Sequence, residues 1–386
     1  MSSVESPLRT LMGPGPLDID PRVYRALGSP VISHLDPAHL RAVREVGDRL
    51  RPIFGTKNRL TNAMPGTGTS GMEACVAGLV EPGDAVLCCV HGYFGDRMRQ
   101  MAERQDADVT VLESEWGKPT DAGRVAEALK KKAYKVVTLV HAETSTGVLQ
   151  PMDTVPQLVR DHGAMLILDT VTSLGGLEVT VDAWAVDAAY SCSQKCIGSP
   201  SGLAPVTFSD RAVEHMRARK HPIRSWYLDA TLLDKYWFNG AYHHTSSSTL
   251  NFALLEALRL IEEEGLDRRI ARHRRNHRAL VAGVEAMGLT LLVAPEHRLP
   301  CLNAIRIPDG IDDATIRAAL LERFNLEIGG GLGDLRGKVW RVGLMGYSSS
   351  PERILFFLSA MCHALATQGH KTNLVAGIDA AMAAVG

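Results

Sequence analysis

The stretch AAYSCSQKCIGSP (residues 188–200) places a lysine directly after an apolar, strand-like run. Small and polar residues surround Lys195, and a lysine is rarely buried without a partner and seldom needed in a turn. Its position therefore calls for a chemical explanation, and the segments around it show what kind of sheet the strand belongs to.

Short apolar runs alternate with amphipathic stretches through the middle of the chain. Six runs have the length and composition of buried strands: AVLCCV (85–90), DVTVLE (108–113), KVVTLV (135–140), AMLILD (164–169), DAAYSC (187–192) and LAPVTF (203–208). Apolar residues at helical spacing mark 94–105, 121–132 and 151–163 between them. This alternation predicts an α/β fold with a mostly parallel central sheet covered by helices.

The last third of the chain has an α+β pattern instead. Helical spacing over 247–265 and 267–288 precedes strands and helices that alternate up to residue 365. We predict three parts. Residues 1–20 form an N-terminal segment that contributes to a dimer and an active site, residues 21–265 form a large domain, and residues 266–386 form a smaller C-terminal α+β domain. The basic stretch 268–278 is predicted to form the solvated face of a helix.

The composition excludes several classes of partner. Lysine and arginine number 42 and aspartate and glutamate 43, so the net charge of −1 favours neither nucleic acid nor a membrane surface. The seven cysteines are odd in number and show no metal-ligand spacing, which predicts free thiols and no metal site. With no apolar leader in MSSVESPLRT, the expected location is cytoplasmic.

Polar side chains follow three of the predicted strands. Residues 143–146 (ETST) follow the run 135–140, and Asp169 ends the run 164–169. Residues 193–195 (SQK), which include Lys195, follow the run 187–192. Because open α/β sheets bind ligands at the carboxyl ends of their strands, these groups are expected to share one site.

A glycine-rich loop, MPGTGTSGMEACVAGL (64–79), opens a predicted helix. Its backbone N–H groups and hydroxyls would suit a phosphate dianion at the helix N-terminus. The loop matches neither GxxxxGK[ST] nor a clean GxGxxG, and no obvious strand precedes it. A structural turn with a Ser or Thr cap is an equally good interpretation of the loop alone.

A phosphate cradle, a carboxylate and a lysine at a strand end together fit one cofactor, pyridoxal 5′-phosphate. Its aldehyde needs a lysine amine, its ring nitrogen needs a carboxylate, and its phosphate needs a helix N-terminus. Taken singly, Asp169 could cap a turn and Lys195 could be exposed, but these alternatives leave the SQK placement unexplained.

With these motifs in place, the chain resembles the class V aminotransferases of fold type I, and among them the alanine–glyoxylate and serine–pyruvate aminotransferases. The resemblance rests on seven stretches in the family's order: GPGP (13–16), STGVLQP (145–151), LDTVTSLGG (168–176), SCSQK (191–195), YHHT (242–245), GGLG (330–333) and WRVGLMG (340–346).

The resemblance implies a role for each matching residue. Lys195 would hold the cofactor aldehyde and move the proton, Asp169 would pair with the pyridinium, and Arg341 would grip the substrate α-carboxylate. Gly15 and Thr144 would line the substrate pocket. The further implied cofactor-binding residues are Gly68, Thr69, Ser70, Phe94, Thr144, Val171, Ser173, Gln194 and, from a neighbouring subunit in a homodimer with shared sites, Tyr242 and Thr245.

Two positions depart from the family's pattern. Many relatives have tryptophan where this chain has Phe94, and the phosphate loop often has histidine where Thr69 stands. The phenylalanine can still stack on the cofactor ring, with less area.

The expected activity is ping-pong transfer of an amino group from alanine or serine to glyoxylate or pyruvate. Sister activities on the same scaffold stay open: serine–glyoxylate, ureidoglycine–glyoxylate and pyridoxamine–pyruvate transamination. A cysteine desulfurase or selenocysteine lyase is disfavoured because 328–337 holds no cysteine. A non-enzymatic regulator that keeps the cofactor fold is disfavoured because the chain has no DNA-binding motif or basic arm. A nucleotide-binding Rossmann enzyme is disfavoured because the chain lacks the glycine fingerprint of that fold.

Overall fold

A computed structural model of the chain describes residues 6–386, so residues 1–5 of the predicted N-terminal segment lie outside it. The strands of the described chain are β1 (Thr10–Leu11), β2 (Leu60–Pro65), β3 (Ala85–Val90), β4 (Asp108–Glu113), β5 (Val136–Val140), β6 (Ala142–Glu143), β7 (Val148–Leu149), β8 (Met165–Asp169), β9 (Ala188–Tyr190), β10 (Leu203–Phe208), β11 (Leu302–Arg306), β12 (Leu326–Glu327), β13 (Gly329–Gly330) and β14 (Val339–Gly343).

Helices lie between most of these strands and after the last one. They are α1 (Pro21–Leu27), α2 (Pro37–Phe54), α3 (Gly68–Leu79), α4 (Tyr93–Arg104), α5 (Ala122–Lys131), α6 (Val155–His162), α7 (Asp210–Ala218), α8 (Ala230–Asn239), α9 (Ser248–Glu264), α10 (Leu266–Ala286), α11 (Asp313–Phe324), α12 (Pro351–Ala366) and α13 (Leu374–Val385).

The central sheet has seven strands in the order β2-β10-β9-β8-β5-β3-β4. Strand β10 runs antiparallel to both of its neighbours, and the pairs from β9 to β4 are parallel. The predicted α/β fold with a mostly parallel sheet is thereby confirmed.

Both faces of this sheet are covered by helices, as strand β8 shows. Leu166 and Leu168 pack into a core shared with α2, α5, α6 and α9. Met165 and Ile167, which alternate with them, pack into a second core with α3, α4, α7 and α8. Since side chains alternate across a strand, an uninterrupted apolar run such as MLIL serves both layers at once.

A separate core lies in the C-terminal part, where α10, α11, α12 and α13 pack on the antiparallel sheet β11-β14-β13. The N-terminal segment joins this part, because β1 pairs with β12 and Met12 is fully buried in the same core. No helix of residues 6–386 is long and apolar enough to cross a membrane.

Two sequence-based expectations were wrong. The glycine-rich loop does follow a strand, since β2 ends at Pro65 and pairs with β10. The basic stretch 268–278 is only partly a solvated face, because Arg269, His273 and Asn276 of α10 are buried. In β2 and in the stretch 268–278, polar side chains are buried because hydrogen-bond partners are available to them. The pattern of apolar residues in a sequence does not reveal such buried polar side chains.

Candidate active site

A cavity of about 270 Å³ lies at the carboxyl ends of the central strands. It brings together residues from the glycine-rich loop, from three strand ends, from α4, from the N-terminal segment and from β14. The lining residues are Pro14, Gly15, Thr67, Gly68, Thr69, Met72, Phe94, Arg97, Thr144, Asp169, Val171, Cys192, Gln194, Lys195, Leu332 and Arg341.

The amine of Lys195 lies at the floor of the cavity, in the turn after β9. The residue is 7% exposed, and its Nζ donates to Thr144 Oγ1 and Thr172 Oγ1, each at 3.0 Å. Burial lowers the pKa of Lys195. A buried, oriented amine with a lowered pKa has the properties that a nucleophile or general base needs.

The carboxylate of Asp169 is held at the end of β8 by two donors. Its Oδ1 accepts the N–H of Val171 at 2.7 Å, and its Oδ2 accepts the hydroxyl of Tyr190 at 2.6 Å. Burial raises the pKa of Asp169 to about 6, although both hydrogen bonds act to lower it. The group is thus a buried carboxylate poised to pair with a proton on a ligand nitrogen.

The glycine-rich loop presents an open helix N-terminus to the cavity. Thr67, the N-cap residue of α3, makes no side-chain hydrogen bond to the helix, so the first N–H groups remain available. A Cβ on Gly68 would lie 3.0 Å from Cys192 Cβ and 3.3 Å from Val171 Cγ2, so the start of α3 packs tightly against the turns after β8 and β9. The buried Oε1 of Gln194 has no hydrogen-bond partner among the described residues.

Helix α4 adds an aromatic ring and a cation on the same side. The guanidinium of Arg97 lies 4.9 Å from the ring centroid of Phe94 and donates to Thr69 Oγ1 at 3.2 Å. An arginine beside free helix N–H groups makes this end of the cavity suited to an anion.

The buried carboxylate of Glu143 fixes the start of α4. Its Oε2 accepts the N–H groups of Phe94 and Gly95 at 3.2 and 3.3 Å, and its Oε1 accepts the hydroxyl of Ser145 at 2.6 Å. Carboxylates are stabilising at helix N-termini, so Glu143 holds the ring of Phe94 in place from β6.

Arg341 closes the opposite wall from β14. The residue is 6% exposed, and its hydrogen bonds go to the carbonyl oxygens of Gly330 at 2.7 Å and Thr144 at 3.3 Å. Burial lowers the pKa of Arg341 to about 10. A buried guanidinium whose partners are neutral carbonyls is placed to receive a carboxylate from a ligand.

The structure unites most of the residues predicted from the sequence. Gly15, Gly68, Thr69, Phe94, Thr144, Asp169, Val171, Gln194, Lys195 and Arg341 all line the cavity. Four others do not line it: Ser70, whose hydroxyl donates to Thr67 O at 2.6 Å, Ser173, and the exposed Tyr242 and Thr245.

The role of Ser173 in cofactor binding stays a prediction. Its hydroxyl lies 2.9 Å from His141 Nδ1, with which it shares a hydrogen bond. The neighbouring hydroxyl of Thr172 is the one that meets Lys195. Sequence reasoning also missed Thr67, Arg97 and Tyr190. Tyr190 could have been found from strand pairing, because it lies opposite Asp169 in the parallel register of β8 and β9.

The model of the family described as aminotransferase class-V matches residues 24–334. The chain belongs to the class V aminotransferases. Crystal structures of related enzymes resemble this aminotransferase over nearly its whole length, beyond the residues that the family model matches. An alanine–glyoxylate aminotransferase from Nostoc sp. is 46% identical, with a TM-score of 0.93, over 95% of this chain and 97% of that one.

Two further structures similar to this aminotransferase carry different amino donors in their names. The ureidoglycine–glyoxylate aminotransferase of Bacillus subtilis is 40% identical, with a TM-score of 0.97, over 99% of each chain. The pyridoxamine–pyruvate aminotransferase of Mesorhizobium loti is 31% identical, with a TM-score of 0.93, over 97% of this chain and 96% of that one. The fold of this aminotransferase is therefore fold type I.

Proposed function

We propose that this aminotransferase uses pyridoxal 5′-phosphate to move the amino group of a small amino acid, alanine or serine, to glyoxylate or pyruvate. One observation carries the proposal. A buried amine (Lys195), a buried carboxylate (Asp169) and a buried guanidinium bonded to neutral carbonyl oxygens (Arg341) converge on one cavity.

The residues present fit the cofactor. The uncapped N-terminus of α3, together with Thr67, Thr69 and Arg97, would hold the phosphate. Asp169 would meet the ring nitrogen, and Phe94 and Val171 would pack on the ring. The unpartnered Oε1 of Gln194 supports the presence of a ligand here. Gly68 lines the cavity without a side chain, so its main chain is open to that ligand. When bound, the cofactor supplies an aldehyde and an electron sink.

Lys195 is the group that moves protons. Its buried amine has a lowered pKa, which increases the neutral fraction that can act as a general base at the substrate Cα. The hydroxyls of Thr144 and Thr172 orient that amine from two neighbouring loops. Asp169, ionised at neutral pH, would keep a proton on the ring nitrogen, which is the form in which the ring acts as an electron sink.

The pocket favours a small substrate. A Cβ on Gly15, which has a φ of +104°, would lie 3.1 Å from Lys195 Cγ, so the N-terminal segment packs closely on the aliphatic stem of the reacting lysine. Arg341 would take the substrate carboxylate in a bidentate pair. Glyoxylate is the acceptor named for both the Nostoc and the Bacillus relatives. The match to the latter keeps ureidoglycine as the alternative donor.

We also propose a homodimer with shared sites, in the cytoplasm. Tyr242 is 66% exposed and Thr245 is exposed, and the aromatic side chains of Trp226 and Tyr227 beside them are also open to solvent. Large exposed aromatics in one segment are typical of an interface. Mixing inactive Lys195→Ala and Tyr242→Ala subunits would rebuild one intact site per mixed dimer and restore activity, whereas sites within one subunit would stay inactive.

The chemistry is tested by trapping the cofactor. Borohydride reduction of the holoenzyme should leave a pyridoxyl group on the peptide that contains Lys195, and Lys195→Ala should lose both the label and turnover. Exposed Lys57→Ala is the matched control and should keep both. A label on another lysine would refute the assignment. Rates for alanine, serine, ureidoglycine and pyridoxamine against glyoxylate and pyruvate then separate the sister activities.

A further inference from the structure

Behind the catalytic lysine lies a cluster of two cysteines and a histidine that the proposed reaction does not use. Cys196 directly follows Lys195, His273 lies on α10, and Cys301 directly precedes β11. All three are buried, and their ligand atoms lie within 4.8 Å of one another. Because the three are far apart in the sequence, cysteine spacing could not reveal the cluster.

The histidine is oriented as a metal ligand would be. Its Nδ1 is 2.8 Å from the carbonyl oxygen of Arg269, and its Nε2 accepts the N–H of Gly346 at 2.9 Å. The proton therefore sits on Nδ1 and the lone pair on Nε2. Metal-binding histidines are commonly held in this way, with the distal N–H donated to a backbone carbonyl. A cation would replace the N–H of Gly346 as partner of the lone pair.

A buried positive charge lies beside the main chain of Cys196. The guanidinium of Arg269, itself buried, donates to the carbonyl oxygen of Cys196 at 2.7 Å. A thiolate is the form in which cysteine binds metals.

A fourth oxygen ligand and the space for the sulfurs are also present. The thiol of Cys196 donates to the carbonyl oxygen of Thr172, with Sγ and O 3.3 Å apart. Once the thiol proton is lost, this spacing is compatible with two corners of a tetrahedron around Zn²⁺. Gly176 leaves room for both thiols, since a Cβ there would lie 2.5 Å from Cys196 Sγ and 2.8 Å from Cys301 Sγ.

We propose that Cys196, His273 and Cys301, with the carbonyl oxygen of Thr172, form a binding site for a thiophilic divalent cation such as Zn²⁺ or Cd²⁺. Bonds of about 2.3 Å to sulfur and about 2.0–2.1 Å to nitrogen require the ligand atoms to draw together slightly. Each thiol that binds gives up its proton to solvent, so one cation displaces up to two protons.

The location gives the site a mechanical consequence. The cation would join the main chain next to Lys195 to α10 and to the start of β11, which belong to the C-terminal core.

The experiment titrates the reduced holoenzyme with Cd²⁺ and follows the thiolate-to-cadmium charge-transfer absorption. Wild type should show saturable binding with release of protons into weak buffer, and its Tm should rise with cation concentration. Cys301→Ser and His273→Gln should each weaken binding by about 10–100-fold or more. Cys362→Ser, which removes a half-buried thiol on α12, is the control and should bind as wild type does.

Two results would overturn the proposal. One is the absence of cadmium–thiolate absorption in wild type. The other is equal binding in wild type, Cys301→Ser and His273→Gln, which would place the cation elsewhere. If the serine variant fails to fold, the histidine variant alone carries the comparison. Turnover of Cys301→Ser without cation should equal that of wild type, so this test is independent of the proposed reaction.

Discussion

The hydrogen bond from Tyr190 to Asp169 offers a sharp test of how the site controls charge. The phenol donates to Asp169 Oδ2 at 2.6 Å, and both residues are buried at adjacent positions of β9 and β8. Tyr190→Phe removes this donor and little else. The other carboxylate oxygen keeps the N–H of Val171.

The size of the effect follows from the geometry. A hydrogen bond to a charged group contributes about 1.5–3 kcal/mol, and one pKa unit corresponds to about 1.4 kcal/mol. Loss of the phenol should therefore raise the pKa of Asp169 from about 6 by roughly 1–2 units. At pH 7 the ionised fraction would fall from about nine-tenths to about half or less.

The measurement is the affinity of the apoprotein for pyridoxal phosphate as a function of pH. Wild-type affinity should decline as the pH falls through about 6, and in Tyr190→Phe this decline should begin roughly 1–2 pH units higher. Tyr236→Phe is the control, because its buried hydroxyl bonds the carbonyl oxygen of His34 at 3.0 Å, in another part of the molecule. Identical profiles for wild type and Tyr190→Phe would refute the reasoning.

Three other predictions concern the same cavity. Arg341→Ala should lower kcat/KM for an amino acid by about 30-fold or more, as expected when a buried charge partner is lost, and should spare an amine without a carboxylate. Glu143→Gln should lower the free energy of unfolding by about 1–2 kcal/mol because the first N–H groups of α4 lose their carboxylate, whereas Glu103→Gln on the exposed face of α4 should change it by less than about 0.5 kcal/mol. Denaturant titrations measure both. In the apoprotein the pKa of Asp169 is raised from 3.8 to about 6, so the folded state binds the proton more tightly, and the free energy of unfolding should fall as the pH rises from about 4 to about 6. Asp169→Asn should flatten that slope, and an unchanged slope would contradict the assignment.

The sequence predicted the parts of the fold whose strands are continuous apolar runs. Strands β3, β4 and β10 begin and end at the predicted residues. Strand β2 was missed because its buried residues include Thr61 and Asn62, whose side chains are satisfied by Thr207 Oγ1 and the carbonyl oxygen of Val43. Hydropathy does not distinguish a buried hydrogen-bonded polar residue from a loop residue.

Site residues at or just after the ends of strands could be predicted from the sequence. The choice between neighbouring side chains within a turn could not, because the backbone of the turn determines the direction of each side chain. Asp169 is the last residue of β8, and Lys195 lies in the turn after β9, so the predicted strand ends were enough to identify both residues. Thr172 and Ser173 are adjacent hydroxyls in one turn, and only the turn's backbone decides that the threonine meets the lysine. Arg97 was missed because a charged residue on an amphipathic helix has the pattern of a solvated one.

The short strand β1 has a consequence for anyone who redesigns the substrate range. Hydrogen bonds from Met12 N to Glu327 O at 2.9 Å and from Gly343 N to Met12 O at 2.8 Å anchor the N-terminal segment to β12 and to β14, the strand that bears Arg341. Gly15 and Arg341, two walls of the cavity, thus rest on one support. Enlarging the pocket by displacing that sheet would shift the carboxylate anchor as well, so specificity is better altered by side-chain exchange at the cavity surface than by loop grafting.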